Sequence, residues 1–412
     1  MGVFVACAED AIPGTNTSTT IGSTSTAETN SNLPEDPAPE TDATASESTS
    51  DPSESTEGSD QATSSDSEGD PTENKTVYDP TIEHKIIVGD VYSKGHGTGT
   101  AKLAVLDLNK CDGNWNDLTS SKALVWEWGP NDAAAGTLAR SSIRGFSDAK
   151  FRYSEHYDCY VVIACNSAGW FGIIDYETKE VLWESTFANG PHSIELMPNG
   201  DFVMVGSGGS ADGKVGSIHY YPLSVTESTK PSSILPMKSA HGVQWDPDMK
   251  CLWIVYMDGI QAVNVANYGT AKASLQLLDD MGDTFEEDSS GHDLAPVAGS
   301  PKEYWVTASK YVWIFNTETE ELSKVYPNSE AISQKKIKGI ASFKDGTVVT
   351  AAAGVSGKGQ KLSYTYTTYD LNIITVTLTS DPSPTEKITR TQVTFDKREF
   401  YKVHSFDAAY KP

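Results

Sequence analysis

Four histidines and two lysines recur at comparable places beyond residue 80 of this 412-residue chain. His192, His241 and His292 each open a short apolar run, Lys338 opens another, and Lys150 and His404 mark two weaker copies. From Lys150 to Lys338 the intervals are 42, 49, 51 and 46 residues. Imidazoles ligate Zn, Mn, Fe, Ni or Cu and move protons near neutral pH; ammonium groups hold carboxylates, sulfates or phosphates. A single histidine at a strand start usually satisfies a backbone group, but four in register make a ring with chemistry available to it. Two chemistries stay open. In one, a divalent metal such as Mn or Zn sits among His192, His241, His292 and His404, and Lys150 and Lys338 hold an anionic substrate beside it. In the other, no metal is present and the ring grips the anion directly. Two lysines in the ring favour three histidine ligands with lysine nearby over six ligands.

The elements that must position these groups are strands. Pro198-Asn199-Gly200 leads from His192 into Phe202-Val203-Met204-Val205, and Asp246-Pro247-Asp248 leads from His241 into Leu252-Trp253-Ile254-Val255. Lys344-Asp345-Gly346 leads from Lys338 into Val348-Val349-Thr350. Short β-branched runs bounded by Gly, Asn, Asp and Pro, repeating every 40–50 residues, predict a β-propeller. The first unit supplies only Ile86–Val88, Leu103–Leu106 and Leu124–Trp128; its missing innermost strand is found at Val403–Phe406. Residues 81–412 are therefore expected to form an all-β, six-bladed propeller closed by the C-terminal strand. The ring then lies at the mouth of the central channel, under the longer loops. Those loops carry Arg140 and Arg144 as further substrate-binding candidates, and Tyr366 as a proton carrier beside His192 and His241. The acidic loop 279–291, with Asp283, Glu286, Glu287 and Asp288, lacks the spacing of an EF-hand and reads as a solvated turn.

The net charge of −26 divides unevenly. Residues 1–80 hold 17 Asp and Glu against one cation, Lys75, and no aromatic lies between Phe4 and Tyr78. Residues 8–80 cannot bury enough apolar area to offset their ordering entropy, so a disordered tether is expected. Phe4-Val5-Ala6-Cys7 ends residues 1–7 like a truncated lipoprotein signal, making Cys7 a lipidation candidate and the protein an exported or surface-tethered one, attached to a membrane only through that lipid. An acidic chain without a basic stripe is not a nucleic-acid binder, and a monomer is expected. Cys159 and Cys165 close the two ends of one strand and cannot pair; Cys111 and Cys159 fall in turns of adjacent blades, where a disulfide is allowed. No Cys-x-x-Cys, phosphate-binding loop or nucleophile elbow occurs, and Gly95-His96-Gly97-Thr98-Gly99 opens no helix.

The strings Pro191-His192-Ser193-Ile194-Glu195-Leu196-Met197-Pro198-Asn199-Gly200, Ala240-His241-Gly242-Val243-Gln244-Trp245-Asp246 and Gly291-His292-Asp293-Leu294, with Ser147-Asp148-Ala149-Lys150, resemble the blade signatures of a bacterial six-bladed propeller family of unknown function. The resemblance covers roughly residues 84–412. It implies the fold and no activity. The ring is also similar in kind to the His-rich metal site of oligogalacturonate lyases, at the level of fold and residue type. One expected function is thus a metal-assisted lyase or hydrolase acting on an anionic, carboxylated glycan. The alternative is a non-catalytic surface module binding a glycan or protein partner, and a third is a sulfotransferase- or lactonase-like enzyme on small molecules.

Overall fold

A computed structural model describes residues 84–90, 101–110, 114–115, 122–132, 143, 145–187, 190–208, 215–278, 281–282, 284–285, 288–323, 332, 337–353, 369–375, 389–395 and 400–407. The tether 8–80 and Cys7 lie outside the described residues. Among the described residues, no helix is long and apolar enough to cross a membrane.

The chain forms a β-propeller. Five of its sheets have four antiparallel strands each. The first contains Lys85–Asp90, Leu103–Asp107 and Leu124–Trp128, and Phe400–Ser405 completes it on the inner side. The next four open on the innermost strands Asp148–Ser154, Pro191–Leu196, Gly242–Asp246 and Asp293–Val297. A further sheet opens on Ile337–Ser342, continues through Thr347–Ala353, Tyr369–Thr375 and Thr389–Phe395, and takes a fifth strand. That strand, Asn114–Trp115, comes from between two strands of the first sheet and pairs in parallel with Thr394 and Phe395.

Closure follows the sequence expectation: Ile86, Ile87 and Val88 pair with Ser405, His404 and Val403. The free inner edge of the first sheet is thereby covered. Tight turns link the first and second strands, as Asn199-Gly200 shows. Met197 N donates to Asp201 O at 2.8 Å, and Gly200 sits at φ +88°, where a side chain would strain the backbone and collide with His156.

Core side chains fill the spaces between sheets. Along each innermost strand one set of alternate residues belongs to these apolar clusters: Ala149 and Phe151, Ile194 and Leu196, Val243 and Trp245, Leu294, Ile340, and Val403. The other set is polar yet equally buried, including Asp148, Lys150, Arg152, Ser193, Glu195, Lys402 and His404. A period of two with both faces buried means that the second face lines the channel.

Glycine allows the innermost strands to come close. A Cβ on Gly339 would stand 2.6 Å from both Lys402 Cα and Val403 N, and one on Gly242 would stand 3.0 Å from Leu294 N. Backbone atoms cannot yield as a flexible side-chain end can. Gly339→Ala is therefore expected to cost about 1–3 kcal/mol, the range for overpacking a core, read as a lowered urea midpoint. An unchanged midpoint would contradict the close approach at the closing strand.

Candidate functional site

The ring is built by a repeated backbone irregularity. In the third sheet Pro191 pairs with Gly206 and Ser193 with Val205, leaving His192 as the extra residue of a β-bulge. Lys338 is skipped in the same way between Ile337 and Gly339. On the closing strand, Tyr401 and Lys402 fall within the shift between Val403 and Phe400. At the other three sheets, the amide just before the innermost strand bonds to the carbonyl that faces the strand's first residue. Ser147 N donates to Cys165 O (2.8 Å), His241 N to Val255 O (2.9 Å) and His292 N to Thr307 O (2.8 Å), where Asp148, Gly242 and Asp293 pair with those same residues. Bulges re-aim side chains. Six equivalent positions result, holding Ser147, His192, His241, His292, Lys338 and Tyr401.

Five of these side chains form a closed circuit. The His192 and His241 ring centroids are 4.4 Å apart, and those of His241 and His292 are 5.3 Å apart. Lys338 Nζ lies 2.5 Å from His292 Nε2 and 6.0 Å over the Tyr401 ring. Tyr401 closes on His192 at 6.1 Å. His192 Nδ1 donates to Gly190 O at 2.7 Å and His241 Nδ1 to Ser239 O at 2.8 Å, which places the lone pair of each neutral imidazole on Nε2. Burial, then the charge of Lys338 and the neighbouring His241, hold His292 well below the ordinary imidazole range, so it is neutral near pH 7. Four ring members are buried, with 1 % of His292, 2 % of His241, 4 % of His192 and 7 % of Lys338 exposed, and Tyr401 is half-buried.

Lys150 and His404 are placed three residues deeper than the ring. They belong to a buried ionic network beneath it. Lys150 Nζ contacts Glu195 Oε2 (3.3 Å) and donates to Val243 O (2.6 Å). Arg152 grips the same carboxylate with two nitrogens, at 2.7 and 2.9 Å. His404 Nε2 donates to Asp148 Oδ1 at 2.7 Å, and Ser193 Oγ donates to Asp148 Oδ2 at 2.5 Å. Lys402 lies 3.3 Å from Asp293 and 3.9 Å from Asp148, and donates to the carbonyl of His241 at 2.6 Å. Burial alone would raise the Asp148 carboxyl, but Lys402, His404 and Lys150 outweigh it and hold it far below the usual range. For Glu195 burial is likewise outweighed, by Arg152 and Lys150.

The structure thus brings His192, His241, His292 and Lys338 together and adds Tyr401. It places Lys150 and His404 in the network, whose other members Asp148, Arg152, Glu195, Asp293 and Lys402 the search for ring cations passed over. The alternation Asp148-x-Lys150-x-Arg152, Ser193-x-Glu195 and Lys402-x-His404 was the available signal. Arg140, Arg144, Tyr366 and Cys111 lie outside the described residues. Cys159, Cys165 and Cys251 are free thiols. In the acidic loop, Asp288 clamps a neighbouring turn by accepting from Lys310 N and Tyr311 N, each at 2.9 Å; Asp283, Glu286 and Glu287 lie outside the described residues. His219 shows what a histidine does away from the ring: buried inside its sheet, it meets Ser217 Oγ at 2.8 Å, and burial pushes it down to about 4. Among the described residues, no three of His, Cys, Asp and Glu are grouped to hold a metal ion.

A family model described as a family of unknown function (DUF6528) matches residues 116–354, more than half of the chain. No curated protein matches the sequence. Among solved structures, the chain is similar to the β-propeller domain of Cps50 (Swd1) from Myceliophteria thermophila, with 10 % identity, 79 % of this chain and 90 % of that one covered, and a TM-score of 0.43. It is also similar to Kuenenia stuttgartiensis hydrazine synthase at 13 % identity, covering 53 % of this chain and 59 % of that one, less than two thirds, with a TM-score of 0.32.

The network makes acid stability a readout. The folded pKa of Asp148 is below its unfolded value, so its contribution is complete above the unfolded pKa and is lost as pH falls toward the folded one. Asp148→Asn should cost about 3–5 kcal/mol at pH 7, because it strands buried cations, and should flatten the fall of stability from about pH 5 downward. Urea melts of both proteins across that range check this; parallel curves would remove Asp148 from the acid response.

Proposed function

The chain belongs to that DUF6528 family of unknown function, and from the chemistry of the ring we propose that it binds a small anionic, carboxylated ligand of carbohydrate type there. One observation carries the reading: the circuit of His192, His241, His292, Lys338 and Tyr401 gathers three imidazoles, an ammonium and a phenol in one place. A carboxylate would accept from the ammonium of Lys338 and the hydroxyl of Tyr401, while the Nε2 lone pairs of His192 and His241 would accept from sugar hydroxyls. The five-stranded sheet counts as the sixth blade in this reading, since its bulge at Lys338 supplies the same position as the others.

Catalysis extends the proposal. A divalent metal held by His192, His241 and His292, with Lys338 withdrawn from His292 Nε2, would supply polarisation of a uronide carboxylate for elimination, or of water for hydrolysis. Lys338 would hold the anion and Tyr401 would stand where a proton must move. The alternative, a non-catalytic module, needs only the anion contact. Export suits both versions, with a lipid on Cys7 as anchor; palmitate labelling that persists in Cys7→Ser would remove the anchor.

Calorimetry with galacturonate and glucuronate tests the ring. Lys338→Met and His241→Ala are expected to weaken binding by about tenfold or more while leaving the far-ultraviolet spectrum unchanged. No binding by the unaltered protein, or equal binding by both variants, would overturn the reading. Metal analysis of the purified protein, and absorbance of an unsaturated product from polyuronides, then separate lyase from binding module.

A further inference from the structure

The ring has a floor. Lys402 reaches from the closing strand beneath the ring to the carbonyl of His241, three sheets away, at 2.6 Å. One layer further, Lys150 reaches Val243 O, also at 2.6 Å. Asp148, Asp293 and His404 occupy the space around these two amines, with Asp148 and Asp293 fully buried and His404 bonded to Asp148. Every one of these cations faces a carboxylate, so the floor is held by ion pairs as well as by packing. In the ring above it His192, His241, His292 and Lys338 are almost closed to solvent, and the neighbouring aromatic centroids stand only 4.4 to 6.1 Å apart. With the floor filled beneath it, a ligand can reach the ring from the opposite side alone, and side chains this close leave no space among them for more than a small group.

We infer that the ligand enters by one end, so that the ring takes the carboxylate of a chain-terminal residue or of a free small acid and rejects an internal residue of a polymer. This rests on the anion reading above and narrows it. A terminal sugar has one glycosidic attachment, which can trail out of the entrance. An internal sugar has two, and bringing its carboxylate onto side chains this buried would press both neighbours into the ring wall, with the hydroxyls of each stripped of water and unpaired. Through-passage is closed as well, because Lys402 and Lys150 cross the channel below.

Three kinds of probe decide the matter by calorimetry on the full chain. These are galacturonate itself, trisaccharides of otherwise uncharged sugars bearing one uronate at either end, and the isomer bearing its one uronate in the middle. Galacturonate and at least one end-substituted trisaccharide are expected to bind, and the middle-substituted isomer about tenfold or more weakly. Equal affinity for the middle-substituted isomer, or binding of galacturonate with neither end-substituted trisaccharide, would overturn end-on entry and leave the anion site standing. Failure of every probe, galacturonate included, would instead overturn the anion site.

Discussion

Charge buried along the channel is the constraint on which the rest of this propeller depends. Asp148, Glu195 and Asp293 face Lys150, Arg152 and Lys402 in a region that water does not reach. A buried ion that loses its partner costs several kcal/mol, whereas the assembled set is close to neutral in energy. The network therefore says less about total stability than about register. Shifting an innermost strand by one residue would turn its charged side into the apolar cluster between sheets and put Ala149 and Phe151 into the channel. Because the partners come from different sheets, each strand's register is checked against those around it.

Much of this was legible in the sequence, and what was not has a physical reason. The repeat of turn and β-branched run located the innermost strands, and the missing strand of the first sheet pointed to closure by Val403 and its neighbours. His192, His241, His292 and Lys338 aligned by type alone. Lys150 and His404 did not, because a basic residue near a strand start looks the same whether it occupies the bulge or the strand beyond it. The true equivalents, Ser147 and Tyr401, carry no charge to draw the eye. The ionic network was visible as polar residues alternating with apolar ones, but Asp148 and His404 are 256 residues apart. No local pattern says that they touch.

Ring and network use the same residue types to opposite ends. In the network every cation has an anion within ion-pair distance, and the lysine ammonium groups are further spent on backbone carbonyls. That arrangement is saturated and offers nothing to a ligand. In the ring the imidazoles of His192 and His241 are tied at Nδ1, which fixes their orientation and makes Nε2 the acceptor, while His292 is held at Nε2 by Lys338. Fixed donors and acceptors over a rigid base are what a binding site needs. The fold achieves this separation with one device, a bulge that sets the ring position apart from the alternating strand beneath it.

The strand Phe400–Ser405 has three tasks at once: it completes the first sheet, supplies Tyr401 to the ring and supplies Lys402 and His404 to the floor. It also follows every other strand among the described residues. A polypeptide emerging from the ribosome can form several complete sheets and still have neither a closed ring nor a floored one. Closure of the ring and of its floor thus arrives in a single step, with the docking of that strand.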